Sequence, residues 1–243
     1  MIDLFTRAFV HPLEYAGVSR VTTLTLAEHR IEESGIHTFI FTPARPLTWK
    51  AGQHALFTQP NRGVTGKKWR AFSVASAPHE GVIRIGTNIP DAPSDFKQKL
   101  LTLKPGDTIR MFGPFGEFHL SPKVKRVVGI AGGIGITPFR ALITDAIARK
   151  DVTPITLIYS ARERHTYKEE FEVWTKDHPS ITILYTYTPD EVTTALNALI
   201  TAHGNTAHYF ISGAPGMIEA MTTACRKKDI RQNHIINDPF KGY

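Results

Sequence analysis

Residues 126–149 read R-V-V-G-I-A-G-G-I-G-I-T-P-F-R-A-L-I-T-D-A-I-A-R. A strand is expected over 126–131, where the apolar run from Val127 to Ala131 is the pattern of a strand buried on both faces. Glycines at 132, 133 and 135 then interrupt it, and apolar residues return at helical spacing over 138–149. Thr137 is the expected N-cap and Pro138 suits the first helical turn. A bare glycine loop feeding a helix N-terminus is a seat for a pyrophosphate. It is not the G-x-G-x-x-G fingerprint, because Pro138 stands where the third glycine would be, and it lacks the Gly-Lys-Ser/Thr of a P-loop. Taken alone, it serves a ligand or a tight structural turn equally.

The same rhythm continues to the end of the chain. Strands are expected at 155–160, 181–186, 208–213 and 234–237, with helices near 167–177, 190–202 and 215–228. Buried strands alternating with amphipathic helices imply a doubly wound, five-stranded parallel sheet. Right-handed crossovers put every strand-to-helix loop on one edge, outside the carboxyl ends of the strands, where such sheets bind ligands. The loops there are 132–138, S-A-R-E-R (160–164), Y-T-P-D-E (187–191) and S-G-A-P-G-M (212–217). The last strand sends D-P-F-K-G-Y (238–243) to that edge, so Tyr243 is expected beside the cleft.

Upstream the pattern is different. Short β-rich runs at 21–26, 36–41, 54–58, 70–74, 82–87 and 107–112 are separated by turn chemistry such as Glu33-Ser34-Gly35 and Pro105-Gly106. Six strands and one helix (94–101) suggest an antiparallel β-barrel. The reading is therefore a two-domain chain: an extension over 1–17, a barrel over 18–122 and an α/β domain over 123–243.

Composition narrows the function classes. The 243 residues carry 29 Lys+Arg against 22 Asp+Glu and a single Cys, which excludes a disulfide framework or a Cys-rich cluster on this chain. No metal is expected, since no histidine spacing reads as a ligand set. The first 125 residues hold 16 Lys/Arg and 10 Asp/Glu, so most of the excess charge lies there, including Arg62, Lys67, Lys68 and Arg70. Such a field favours acidic partners, or simply keeps the surface solvated. No nucleic-acid motif is present. Residues 1–17 make a poor secretory signal, and no run spans a bilayer, so a cytoplasmic location is expected.

Two further motifs lie in the barrel half. Arg70-Ala71-Phe72-Ser73 offers a guanidinium, a flat ring and a hydroxyl on one strand, suited to a cofactor with a phosphate and a planar ring. Pro93-Ser94-Asp95-Phe96 reads as an N-capped short helix with Phe96 and Leu100 inward. Each has an ordinary structural reading. Their order is more informative: R-A-F-S, S-D-F-K-Q-K-L with L-K-P-G-D, G-P-F-G-E-F, G-G-I-G-I-T-P, Y-S-A-R, S-G-A-P-G-M and a closing aromatic. Over residues 18–243 this series resembles the ferredoxin–NADP⁺ reductase superfamily.

The resemblance implies FAD on the barrel, with Arg70 on its pyrophosphate, Phe72 stacked on the isoalloxazine and Ser73 near flavin N5. Ala71 joins this strand, and backbone N–H groups over Pro93, Ser94, Asp95 and Phe96 complete the phosphate site. NADH or NADPH would lie on Gly132, Gly133, Ile134, Gly135, Thr137 and Pro138. Ser160, Arg162 and Arg164 would take the adenosine end, and Gly213, Pro215 and Met217 the nicotinamide end. Tyr243, with Phe240 as its rival, resembles the aromatic covering the flavin's other face. The catalytic set implied is Ser73, Ser212 and Tyr243. Phe72 replaces the commoner Tyr, and Ser212 replaces the Cys of a Cys-Gly-Pro motif. Thr188-Pro189-Asp190 replaces the Ser-Arg of many NADPH-specific relatives, which leans toward NADH. The implied activity is an FAD-dependent NAD(P)H oxidoreductase passing electrons to a separate acceptor, an acidic ferredoxin or flavodoxin. The alternatives are a flavin, ferric-chelate or quinone reductase, an electron-transfer subunit of a larger complex, and a non-catalytic nucleotide-binding module.

Overall fold

A computed structural model describes residues 12–59 and 62–238. A helical turn, α1 (Pro12–Tyr15), leads into the first sheet: β1 (Val21–Ile31), β2 (His37–Pro43), β3 (His54–Thr58), β4 (Trp69–Ser73), β5 (Ile83–Thr87) and β6 (Thr108–Phe115). Helix α2 (Asp95–Leu101) sits between β5 and β6. The strands are ordered β4-β3-β6-β1-β2-β5, and every neighbouring pair is antiparallel. Leu24, Leu26, Phe39, Phe41, Phe57, Ile83, Ile85 and Met111 fill its interior, and α2 closes it with Phe96 and Leu100. Burying each such side chain contributes about 1.5–3 kcal/mol.

The second sheet holds β7 (Val127–Gly132), β8 (Ile155–Ser160), β9 (Ile181–Thr186), β10 (His208–Ser212) and β11 (Ile235–Asn237), all parallel, in the order β11-β10-β7-β8-β9. Its helices are α3 (Ile136–Ala148), α4 (Lys168–Lys176), α5 (Pro189–His203) and α6 (Pro215–Lys227). Alternation along β7 explains the two layers. Val127 and Ala131 pack with Phe139, Leu142 and Phe171 of α3 and α4. Val128 and Ile130 face Val192, Leu196 and Cys225 of α5 and α6. Gly129 lies where a Cβ would come 2.7 Å from the Phe139 ring and 2.8 Å from Leu157, so the strand's centre is bare to let α3 approach.

Chain order from β7 runs outward through β8 and β9, then returns to the other side for β10 and β11. The carboxyl ends of β7 and β10 are therefore the switch point, and the loops leaving them diverge to form a crevice. One local expectation is corrected here. A 3-10 turn over Gly133–Gly135 precedes α3, so Thr137 lies inside the first helical turn and does not cap it. Its hydroxyl donates back to the Ile134 carbonyl at 3.0 Å.

Candidate active site

The crevice at the switch point opens against the end of β4, and the two domains share one cleft. The barrel contributes Arg70, Ala71, Phe72 and Ser73, together with Gly86, Thr87, Asn88 and Lys97. The parallel sheet contributes Ile134, Gly135, Thr137, Ser212, Gly213 and Asp238. Strict alternation would send Ser73 away from Arg70 and Phe72. It does not, because β4 ends its sheet and pairs only with β3, so side chains of both faces border its open edge.

Phe72 is half-buried, with Phe57 edge-on at 5.6 Å and Phe96 tilted at 6.3 Å supporting its ring. Arg70 is 9% exposed; its guanidinium donates to the carbonyls of Lys67 and Trp69 and lies 5.5 Å from the Phe96 ring. Lys97, 7% exposed, donates to the Asn88 carbonyl at 2.7 Å. Burial, with the positive charge of Arg70 added, holds the Lys97 ammonium below its usual pKa. Two cations are thus held together in a largely dry wall of the cleft, which suits an anion.

Around Ser94 the expectation needs correction. Ser94 occupies the N-cap position of α2 but its hydroxyl makes no capping bond; its oxygen is buried and finds no hydrogen-bond partner. Asp95 accepts the Thr65 N–H at 2.6 Å and pairs with Lys99, so it ties down the preceding loop, and the Thr65 amide holds its carboxyl below the usual range. The Phe96 side chain is wholly buried core, and the Pro93 carbonyl accepts from Gln98.

On the other wall, Gly135 has no room for a Cβ, because the Ser212 carbonyl and the Gly213 amide press against it. Met217 fills the space over Gly132, whereas Gly133, with φ +52°, faces open space. Pro138 is buried in α3, Ser160 ends β8, and Pro215 opens α6. Arg162 is exposed; Arg164 turns away from the cleft to pair with Glu33 of the barrel at 2.8 Å. Phe240 and Tyr243 lie outside the described residues.

Asp238 was not among the residues expected from sequence, although its segment was. Only 8% exposed, its Oδ2 accepts the Ser73 hydroxyl at 3.0 Å and the Ser212 hydroxyl at 2.9 Å. One carboxylate therefore bridges the two domains through the two expected catalytic serines. Its position at the carboxyl end of the last strand was the available signal. Lys97 was hidden by its helical context, where a Lys reads as a solvated face.

Residues 130–223 match the family described as the oxidoreductase NAD-binding domain. The cytochrome b5 reductase domain of Ulva prolifera nitrate reductase superposes with TM-score 0.74 at 24% identity, covering 91% of this chain and 98% of that one. A mutant ferredoxin–NADP⁺ reductase from Plasmodium falciparum superposes with TM-score 0.76 at 16% identity, covering 91% and 96%. The fold is the one these two reductase structures share, and its second domain carries the NAD-binding family match. Among sequence relatives, one component of the Na⁺-translocating NADH-quinone reductase of Klebsiella pneumoniae is 39% identical over 125 residues. That match takes in 46% of this chain and 31% of the relative, so the chain spans under a third of the relative's length.

The cleft fits a flavin dinucleotide on observations of its own: the half-exposed Phe72 ring and the two buried cations Arg70 and Lys97 line one wall. No helix among the described residues is long and apolar enough to cross a membrane, and no group of three potential metal ligands occurs there.

Proposed function

We propose that the chain is an FAD-dependent NAD(P)H oxidoreductase that passes electrons onward to a separate acceptor. The observation that carries this is the single cleft joining Arg70, Phe72 and Ser73 of β4 to Ile134, Gly135, Thr137 and Ser212 across the domain seam. Bound FAD supplies the two-electron acceptor for a hydride leaving the nicotinamide. The chain's own part is orientation. Arg70 and Lys97 bind phosphate, Phe72 supports the ring, and the glycine loop at 132–135 lets the coenzyme approach the backbone. Ser73 and Ser212 are held by Asp238, so each hydroxyl turns its lone pairs to the cleft. No general acid or base is needed.

NADH is the coenzyme this reading favours. The Glu191 carboxylate already accepts the Tyr187 N–H at 2.6 Å and the Thr188 N–H at 3.2 Å, at the head of α5. Asp190 stands beside it. A 2′-phosphate on the adenosine ribose would meet two carboxylates and amides that are already occupied.

Purified protein should be yellow and should bleach under anaerobic NADH. A colourless protein, or a yellow one that neither NADH nor NADPH bleaches, overturns the proposal. For the acceptor, the basic first half fits an acidic ferredoxin or flavodoxin. The similarity to a component of a NADH-quinone reductase favours a second reading, an electron-transfer subunit of a larger complex. Copurification of the tagged chain with a stable partner would support the second over the first.

A further inference from the structure

Arg140 lies one helical turn beyond Thr137 on α3 and is 3% exposed. From there it reaches into the barrel. Its Nη1 donates to the Ala75 carbonyl at 2.9 Å and to both Glu80 oxygens at 3.1 Å. Its Nε donates to Glu170 of α4 at 2.8 Å, and Nη2 lies 2.7 Å from the same oxygen. The traffic is reciprocal, since Arg84 of β5 donates to the other Glu170 oxygen at 3.1 Å. The rings of Tyr167 and Trp174 flank the guanidinium at 5.6 and 5.3 Å.

The placement matters more than the number of bonds. Ala75 is two residues past Ser73, and Arg140 is three past Thr137, so one hydrogen bond joins the two walls immediately behind the cleft. A second contact fixes the same spacing independently. Gly86 of β5 abuts the glycine loop so closely that a Cβ would come 2.9 Å from Thr137 Cγ2 and 3.1 Å from Ile134 Cδ1. A buried ion-pair network of this kind adds little net stability over apolar packing, but it fixes a register. We propose that Arg140 is a positioning residue for hydride transfer, tying the coenzyme helix to the exit of β4 and so setting the separation of the two rings. This rests on the oxidoreductase reading above.

The test uses flavin-loaded Arg140→Met, Arg140→Lys and Gly86→Ala, read by flavin content, NAD⁺ affinity, the stopped-flow rate of bleaching by NADH, and amide exchange. Misplacement of about 1 Å can cost roughly 100-fold in rate. Arg140→Met should therefore bleach about 30- to 100-fold more slowly, with flavin content and NAD⁺ affinity within about threefold of the parent. Arg140→Lys should recover part of that loss. Exchange should rise at residues 73–77, and Gly86→Ala should slow bleaching although its ion pairs are intact. Bleaching within about threefold of the parent in Arg140→Met overturns the proposal. So does flavin loss in Arg140→Met that Arg140→Lys does not restore, accompanied by faster exchange throughout the chain, because that marks a purely structural role. Parent protein that neither nucleotide bleaches overturns the oxidoreductase reading instead, and exchange at 73–77 then still reports the tie by itself.

Discussion

Ser73 and Ser212 each have one proton to give, and both give it to Asp238. A hydroxyl committed in this way presents only acceptor capacity to a ligand. It can receive an N–H but cannot donate to a bare ring nitrogen, so the trio would favour a ring nitrogen that carries hydrogen. Both hydroxyls donate to the same oxygen, Oδ2, so Asp238→Ala removes their shared acceptor and frees both to turn. Bleaching by NADH should slow by roughly tenfold, the equivalent of one hydrogen bond of about 1.4 kcal/mol, with flavin content unchanged. An unaltered stopped-flow rate would remove Asp238 from the mechanism. The role proposed for Arg70, on the same strand as Ser73, is one of charge. A charged hydrogen bond contributes about 1.5–3 kcal/mol, so Arg70→Ala should weaken FAD binding roughly 10- to 100-fold. Flavin-to-protein ratio after dialysis measures this, and full retention would refute the phosphate role.

At the scale of elements, the proposed preference for NADH rests on the head of α5. Thr188 and Glu191 form a reciprocal capping box: the Thr188 hydroxyl accepts the Glu191 N–H, and the Glu191 carboxylate accepts the Thr188 N–H. The Tyr187 amide, and then that of Thr188, hold the Glu191 carboxyl below its usual range, so it is charged at neutral pH. Like charges facing a phosphate cost several kcal/mol, so kcat/KM should favour NADH over NADPH by at least about tenfold. Equal values for the two coenzymes would show that this loop does not touch the ribose. The element pattern was legible in the sequence because both periods were strong: continuous apolar runs for β7 to β10, and turn residues between the barrel strands. What escaped was what local pattern does not encode. Thr137 was expected to cap α3, but the glycines before it wind a 3-10 turn and start the helix earlier. Asp238, Lys97 and Arg140 owe their roles to partners at least nine residues away in sequence, which no spacing rule reports.

For the whole molecule, charge underlies both the proposed acceptor and the acid response. The chain's formal charge is +7, most of it in the barrel half. An acidic acceptor steered by that field should be reduced more slowly as salt rises, since screening shortens the reach of exposed charge to about 8 Å at physiological ionic strength. A flat salt dependence with ferredoxin would remove the acidic-protein acceptor. Stability against acid follows from the imidazoles. His29, His37, His203 and His208 are all held below the usual value of 6.5, each chiefly by burial; neighbouring imidazoles add to this at His29 and His208, and Arg126 adds to it at His203. A group whose folded pKa is depressed binds fewer protons folded than unfolded, so stability rises with pH across that interval. The contribution is complete above about pH 6.5 and is lost as pH falls through the lower folded values. His29 makes the consequence local. It stacks on Phe39 at 4.2 Å and shares a 2.9 Å hydrogen bond with His37, so charging both rings sets like charges against each other on the β1–β2 hairpin. The melting temperature should therefore fall between pH 7.5 and pH 5.5, before the carboxylates titrate. His37→Gln should reduce that slope, because it removes one of the four groups and the repulsion with His29. A melting temperature that is flat over this range in the parent chain would mean that these imidazoles titrate alike in the folded and unfolded chain.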